Sequence, residues 1–208
     1  MIYRDIVPRI VDAAGDAVLL VVTDPLADVT REIAGHTRVL SAGTFLDSLR
    51  FRTHLGRHFG VDPASVEAQV IGEHGTSQVF LWSSARIGGA TVTALLKQRG
   101  EKLDQVRPAL EKAVRYANIT IIEGHDASQY GIGIASARIG EMVLADEHAV
   151  IPIGSFQKNF GVTLSLPSVV GRSGVVKIAE PELSDEEHQL LVESARSIRH
   201  ALDRMRKL

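Results

Sequence analysis

His74 lies between glycines in Ile71-Gly-Glu-His-Gly-Thr-Ser77, at the end of a predicted strand. The backbone there can approach a ligand closely, and the imidazole is not hidden on an apolar face. Asp47 and Arg50 stand three apart at the start of a predicted helix, a spacing that puts them on one face. Each alone has an ordinary reading, as a loop histidine or a solvated ion pair. Together they offer an imidazole for proton transfer, a carboxylate to orient it and stabilise its charge, and a guanidinium fork for a substrate carboxylate. Those are the parts needed to oxidise a 2-hydroxy acid.

Other constellations are weaker. His54 and His58 have metal-compatible spacing, but Arg57 intervenes on nearly the same face and no third ligand follows, so no metal is expected. Gly131-x-Gly133 falls inside a predicted helix rather than after a strand, which is helix packing and not a dinucleotide fingerprint. Ser77, Ser83, Ser84 and Ser173 could partner His74 and Asp47 in a hydrolase, yet none sits in a G-x-S-x-G elbow.

The elements that must position these groups follow from periodicity. Ile2, Ile6, Ile10 and Val11 mark an amphipathic helix ending at Gly15, and Ala17 to Thr23 reads as a buried strand stopped by Asp24-Pro25. A short helix from Leu26 to Ala34, closed by Gly35, precedes a second strand at Arg38 to Ser41. Strands separated by helices predict a parallel α/β layer. A helix from Leu46 to Phe59 carries Asp47 and Arg50, with Leu46, Leu49, Leu55 and Phe59 offered to a core. One strand from Val66 to Ile71 then delivers His74. Helices are expected from Leu103 to Asn118, with a kink or a helix start at Pro108, and from Gln129 to Leu144. Val150 to Phe156, Val162 to Leu166 and Val175 to Ile178 read as an antiparallel meander, and Ser184-Asp-Glu-Glu187 has capping-box spacing ahead of a terminal helix. An α/β opening thus gives way to an α+β second half.

Composition sets the limits. The chain has 208 residues, no cysteine, 23 Lys and Arg against 25 Asp and Glu, and a net charge of −2. Thiolate chemistry and disulfides are excluded, and no basic field exists for nucleic acid or an anionic membrane. The apolar run Ala17 to Val22 is far short of the roughly 18 residues of a membrane helix, and Met1-Ile-Tyr-Arg-Asp lacks the charge order and length of a signal peptide. A soluble, cytoplasmic chain is expected.

The segments Gly43-Thr-Phe-Leu-Asp-Ser-Leu-Arg-Phe-Arg52, Ile71-Gly-Glu-His-Gly-Thr-Ser77 and Val21-Val-Thr-Asp-Pro25 closely resemble the L-lactate/L-malate dehydrogenase family. So do Leu164-Ser-Leu-Pro-Ser-Val-Val-Gly-Arg-Ser-Gly174 and Leu183-Ser-Asp-Glu-Glu187, and the resemblance leans toward lactate dehydrogenase. It implies that His74 donates a proton in 2-oxo acid reduction and accepts it in reverse, that Asp47 orients His74, and that Arg50 clamps the substrate carboxylate. Ser128 matches the place where the family often has Thr beside the substrate, and Thr23 and Asp24 fall where the family contacts its NAD cofactor. Trp82 reads as packing.

The departures bear on function. The resemblance begins after the family's first strand, its Gly-rich pyrophosphate turn and its mobile loop, so the NAD site is expected to be incomplete. It implies a residual second half of a Rossmann domain at 1–42, with a partial parallel sheet, followed by a catalytic α+β domain at 43–208. Asp24 stands where the family usually has Asn. Arg52 resembles an effector-site residue of allosteric members, but Glu67 replaces the accompanying His, so no sugar-phosphate activation is expected. The strand at Ala17 to Val22 should have one open edge, which invites a homo-oligomer or association with a full-length paralogue. The alternative function is a non-catalytic assembly or regulatory subunit.

Overall fold

The computed structural model describes residues 2–23 and 26–206. The opening is helix α1 (Ile2–Ala14), strand β1 (Leu19–Val21), helix α2 (Ala27–Ala34) and strand β2 (Val39–Ser41). β1 and β2 run parallel, Leu19 opposite Val39 and Val21 opposite Ser41, as the alternation of strand and helix signals predicts. α2 ends where Gly35 takes φ +69° and its N–H returns to the Arg31 carbonyl. The strand stop expected at Asp24-Pro25 lies outside the described residues.

Further strands join this layer from the far end of the sequence. β8 (Ala149–Gln157), β9 (Val162–Gly171) and β10 (Gly174–Ile178) form the antiparallel meander, and Ser41 of β2 pairs with Gly154 of β8. Gly154 is required at that crossing, because a Cβ there would stand 2.7 Å from the Cβ of Ser41. The result is one mixed sheet in the order β1-β2-β8-β9-β10, so the strands on either side of position 42 share a sheet. The meander's second turn is tighter than the sequence suggests, since Gly171 pairs with Gly174 across Arg172 and Ser173.

Helix α3 (Phe45–Phe59) buries Phe51 and Leu55 completely, and Phe51 meets the rings of Phe80 and Trp82 edge-on at 5.1 and 4.9 Å. Its inward face differs from the expected one: Leu49 is exposed, whereas Asp47 and Ser48 are buried. The single strand expected at Val66 to Ile71 is also two, β3 (Val66–Glu67) and β4 (Val70–Ile71). β4 pairs with β5 (Val79–Phe80), while β3 pairs with β6 (Arg86–Ile87), which in turn pairs with β7 (Ala90–Thr91). Two side chains from the head of α3 bond the start of β4: Ser48 Oγ accepts the Val70 N–H at 2.8 Å, and Oγ1 of Thr44, just ahead of the helix, donates to the Val70 carbonyl at 2.5 Å.

A short helix α4 (Val92–Gln98) precedes α5 (Leu103–Arg115), and α5 contains Pro108 rather than starting at it. The expected single helix breaks at Tyr116, and α6 (Ala117–His125) follows. α7 (Tyr130–Leu144) packs on α3 where Gly131 faces Leu46. The terminal helix α8 (Asp185–Arg206) has its capping box, with the Ser184 N–H donating to Glu187 at 2.9 Å and the Glu187 N–H to Ser184 Oγ at 3.3 Å. Leu191, Ala195, Ile198 and Leu202 of α8 bury against Val162, Leu164 and Leu166 of β9. Among the described residues no helix is long and apolar enough to cross a membrane.

Candidate active site

The first turn of α3 and the loop after β4 are brought together by β9. Gly72 exchanges both backbone hydrogen bonds with Ser165, at 2.8 and 2.9 Å, and Ser165 Oγ accepts the Thr44 N–H at the head of α3 at 3.0 Å. One serine on β9 therefore fixes the base of the His74 loop and the helix that carries Asp47 and Arg50.

Asp47 is buried in the first turn of α3, where the positive end of the helix favours a carboxylate. Its Oδ2 lies 2.6 Å from His74 Nδ1, and its Oδ1 is 3.1 Å from Arg50 Nη1. The Asp47 side chain is 1% exposed, Arg50 15% and His74 34%, so the carboxylate is sealed behind two groups that reach outward. A carboxylate accepts hydrogen bonds, so the ring nitrogen that faces it, Nδ1, is the one that donates. A guanidinium has five N–H donors, and one bond to Asp47 leaves the fork donors for a bound carboxylate.

A cavity of about 130 Å³ opens beside His74, lined also by Asp28, Ser41, Glu73, Thr163 and Ser165. Asp28 is buried there: both its oxygens accept the Thr163 N–H, at 2.8 and 3.0 Å, and Oδ1 accepts the Thr163 hydroxyl at 2.8 Å. Burial pushes the Asp28 carboxyl above its ordinary range, and the bonds from Thr163 and the charge of Arg31 only partly offset it. Asp28 and Ser165 went unrecognised in the sequence. Nothing in their local pattern marks them, since their partners stand 135 and 121 positions away.

The remaining candidates are dispersed. Ser128 lies half-buried in the loop between α6 and α7, near the point where Gly131 meets Leu46, and it does not line the cavity. Thr23 is exposed just past β1, where its carbonyl accepts the Leu26 N–H at 3.1 Å. Asp24 lies outside the described residues. His58 Nε2 is 2.6 Å from Glu101, while burial and the Arg57 charge lower the pKa of His54. Among the described residues no three His, Asp or Glu side chains gather where a metal could sit. Ser77 donates to Glu73 and Ser83 to Glu187, so both hydroxyls are engaged away from His74. Arg52 donates from Nε to the Ala68 carbonyl at 3.0 Å. Trp82 is buried as packing and gives its indole N–H to Glu111 at 2.9 Å.

Residues 44–208 match the family described as lactate/malate dehydrogenase, alpha/beta C-terminal domain. An L-lactate dehydrogenase of Deinococcus radiodurans is 43% identical, across 95% of this chain and 66% of its own length. Those of Chloroherpeton thalassium and Thermus aquaticus are each 40% identical, across 97% and 96% of this chain and 68% of their own lengths. The chain spans about two thirds of the length of these curated relatives.

Proposed function

The chain belongs to the lactate/malate dehydrogenase family, and from that membership we propose that it carries the substrate-handling half of an NAD-dependent L-2-hydroxyacid dehydrogenase of the L-lactate dehydrogenase type. The observation that carries this reading is the buried Asp47 carboxylate bonded on one side to His74 and on the other to Arg50. Arg50 binds the carboxylate of a small 2-oxo acid such as pyruvate, which turns the neighbouring carbonyl toward His74. His74 Nε2 gives its proton to the carbonyl oxygen as that oxygen gains charge, and Asp47 stabilises the imidazolium before the transfer. In the reverse direction the neutral imidazole takes the hydroxyl proton. Ser128, on the loop after α6, does not line the cavity at His74, and its place beside the substrate rests on the family resemblance alone.

When bound, a nicotinamide would supply or accept the hydride. Thr23 and Asp24, which follow β1 in sequence, would hold the nicotinamide end of that cofactor, and we take residues 1–42 as the residual part of a Rossmann domain and 43–208 as the catalytic domain. The pyrophosphate has no comparable cradle among the described residues. The head of α3 is the one helix start that follows a β2-to-glycine turn, and there the Thr44 N–H is already bonded to Ser165 while Asp47 adds negative charge.

A second reading, a non-catalytic assembly subunit, is favoured by the edge of the sheet. β1 pairs only with β2 among the described residues, and an apolar cavity of about 330 Å³ beside it is lined by Tyr3, Ile6, Val7, Ile10 and Val18 to Val22. A second copy of the chain, or a full-length paralogue, would cover that edge. NADH oxidation by the folded chain, with pyruvate and with oxaloacetate, separates the readings. Turnover that disappears in His74→Asn supports the enzyme, and the preferred acid names its substrate. No turnover from a folded chain favours the subunit.

A further inference from the structure

The His74 loop is held from behind by the terminal helix. Ser194 of α8 is completely buried, and its Oγ accepts the Glu73 N–H at 2.8 Å. Gly72 is pressed against the same hydroxyl: it takes φ +85°, and a Cβ there would come within 2.5 Å of Ser194 Oγ. Ser77, at the far end of the loop, reaches Ser194 Oγ at 3.4 Å. The Glu73 carboxylate accepts hydrogen bonds from Ser77 and, at 3.2 Å, from Ser197 on the same helix.

A loop containing Gly72 and Gly75 has much conformational freedom to lose, and misplacing a reacting group by about 1 Å can cost about a hundredfold in rate. Asp47 holds the imidazole tip, and Ser165 holds Gly72. Ser165 thus holds the carbonyl side of the Gly72–Glu73 peptide, and Ser194 holds its N–H side, one residue before His74. We propose that Ser194 is a positioning residue for His74, its buried hydroxyl fastening Glu73 to α8 and so setting the imidazole against Asp47, with Ser197 acting in the same sense through the Glu73 carboxylate. Because Ser194 has no exposed surface, water does not replace the bond when the hydroxyl is removed. This inference rests on the reading of His74 as the proton-transfer group.

The test uses the 208-residue chain and a signal independent of turnover, the proton NMR resonance of His74 Nδ1–H, assigned by its loss in His74→Asn. Ser194→Ala is expected to speed exchange of that proton with water by about tenfold, the scale set by losing one buried hydrogen bond. Ser197→Ala is expected to act in the same direction and less strongly. Leu202→Ala removes a buried side chain from the same helix away from the loop, controls for general destabilisation and should leave the exchange rate near that of the parent. Should Ser194→Ala not fold, Ser194→Cys, which keeps the size and weakens the acceptor, carries the test in its place. Exchange in the serine variants no faster than in Leu202→Ala overturns the proposal, as does a parent chain with no such resonance. A parent with the resonance and no turnover removes the catalytic reading and leaves the positioning role of Ser194 in place.

Discussion

Asp47 and His74 stand 27 positions apart in sequence and meet at 2.6 Å, a carboxylate almost sealed from water against an imidazole that is one-third exposed. Under the proposed function the asymmetry gives each a distinct role: the buried partner would fix the tautomer and charge, and the accessible one would exchange the proton.

Asp47→Asn keeps the shape and removes the charge, and its amide can present a donor to Nδ1, which selects the wrong tautomer. Pyruvate reduction is expected to fall by roughly 10²–10⁴ in kcat, with KM changed much less. Steady-state kinetics at neutral pH check this. A variant within a few-fold of the parent would show that His74 does not depend on Asp47.

Arg50 separates binding from proton transfer. Arg50→Lys preserves the positive charge but loses the planar fork, and charge-assisted hydrogen bonds are worth about 1.5–3 kcal/mol each. KM for pyruvate should rise about ten- to a hundredfold. Calorimetric titration of the folded chain with pyruvate reads the same loss without turnover, and unchanged affinity would remove Arg50 from the substrate site.

Asp47, Arg50 and His74 were legible because they sit in short segments whose wording is distinctive. The meander and the capping box were legible because turn residues and periodicity encode them locally. What escaped the sequence was set at long range. The strand expected at Val66 to Ile71 is two because its halves pair with different strands, β6 and β5, and no alternation pattern records which partner each half meets. Leu49 reads as core by type, yet α3 turns Asp47 and Ser48 inward instead, because their polar atoms find partners there. Ser194 looks like any small residue on an amphipathic helix until the fold brings Glu73 against it from 121 positions away.

Glu187 links the terminal helix to acid stability. Burial alone would raise its pKa, but hydrogen bonds from the Ser83 hydroxyl and N–H and from Ser184 hold it below the usual carboxylate value. A carboxylate depressed in the folded state contributes stability that is fully present above its unfolded value, near 4.5, and is lost as pH falls through the folded one. Glu187→Gln removes that contribution and weakens the cap, costing about 1 kcal/mol at neutral pH. Thermal melts from pH 7 down to pH 3 should show the parent converging on the variant. A constant gap between them would assign the cost to packing rather than to charge.

The sheet edge makes the last prediction. Between Ala17 and Thr23 the chain carries no charge and no proline, the two commonest devices that keep an edge strand from pairing with a neighbour. Val22 is 49% exposed at the end of β1, and Ile6 and Ile10 of α1 stand 43% and 40% exposed beside the same groove. Strand pairing across a two-fold would satisfy the free backbone groups and cover those side chains in one step. The chain should therefore sediment faster as its concentration rises. Val22→Lys places a like charge on both copies at the contact and should weaken self-association by about tenfold or more while leaving the melt within about 0.5 kcal/mol of the parent, because Val22 is not part of the core. A parent that sediments as one monomer at every concentration, or a Val22→Lys chain that associates as tightly as the parent, removes β1 as the interface and leaves its open edge to a different partner.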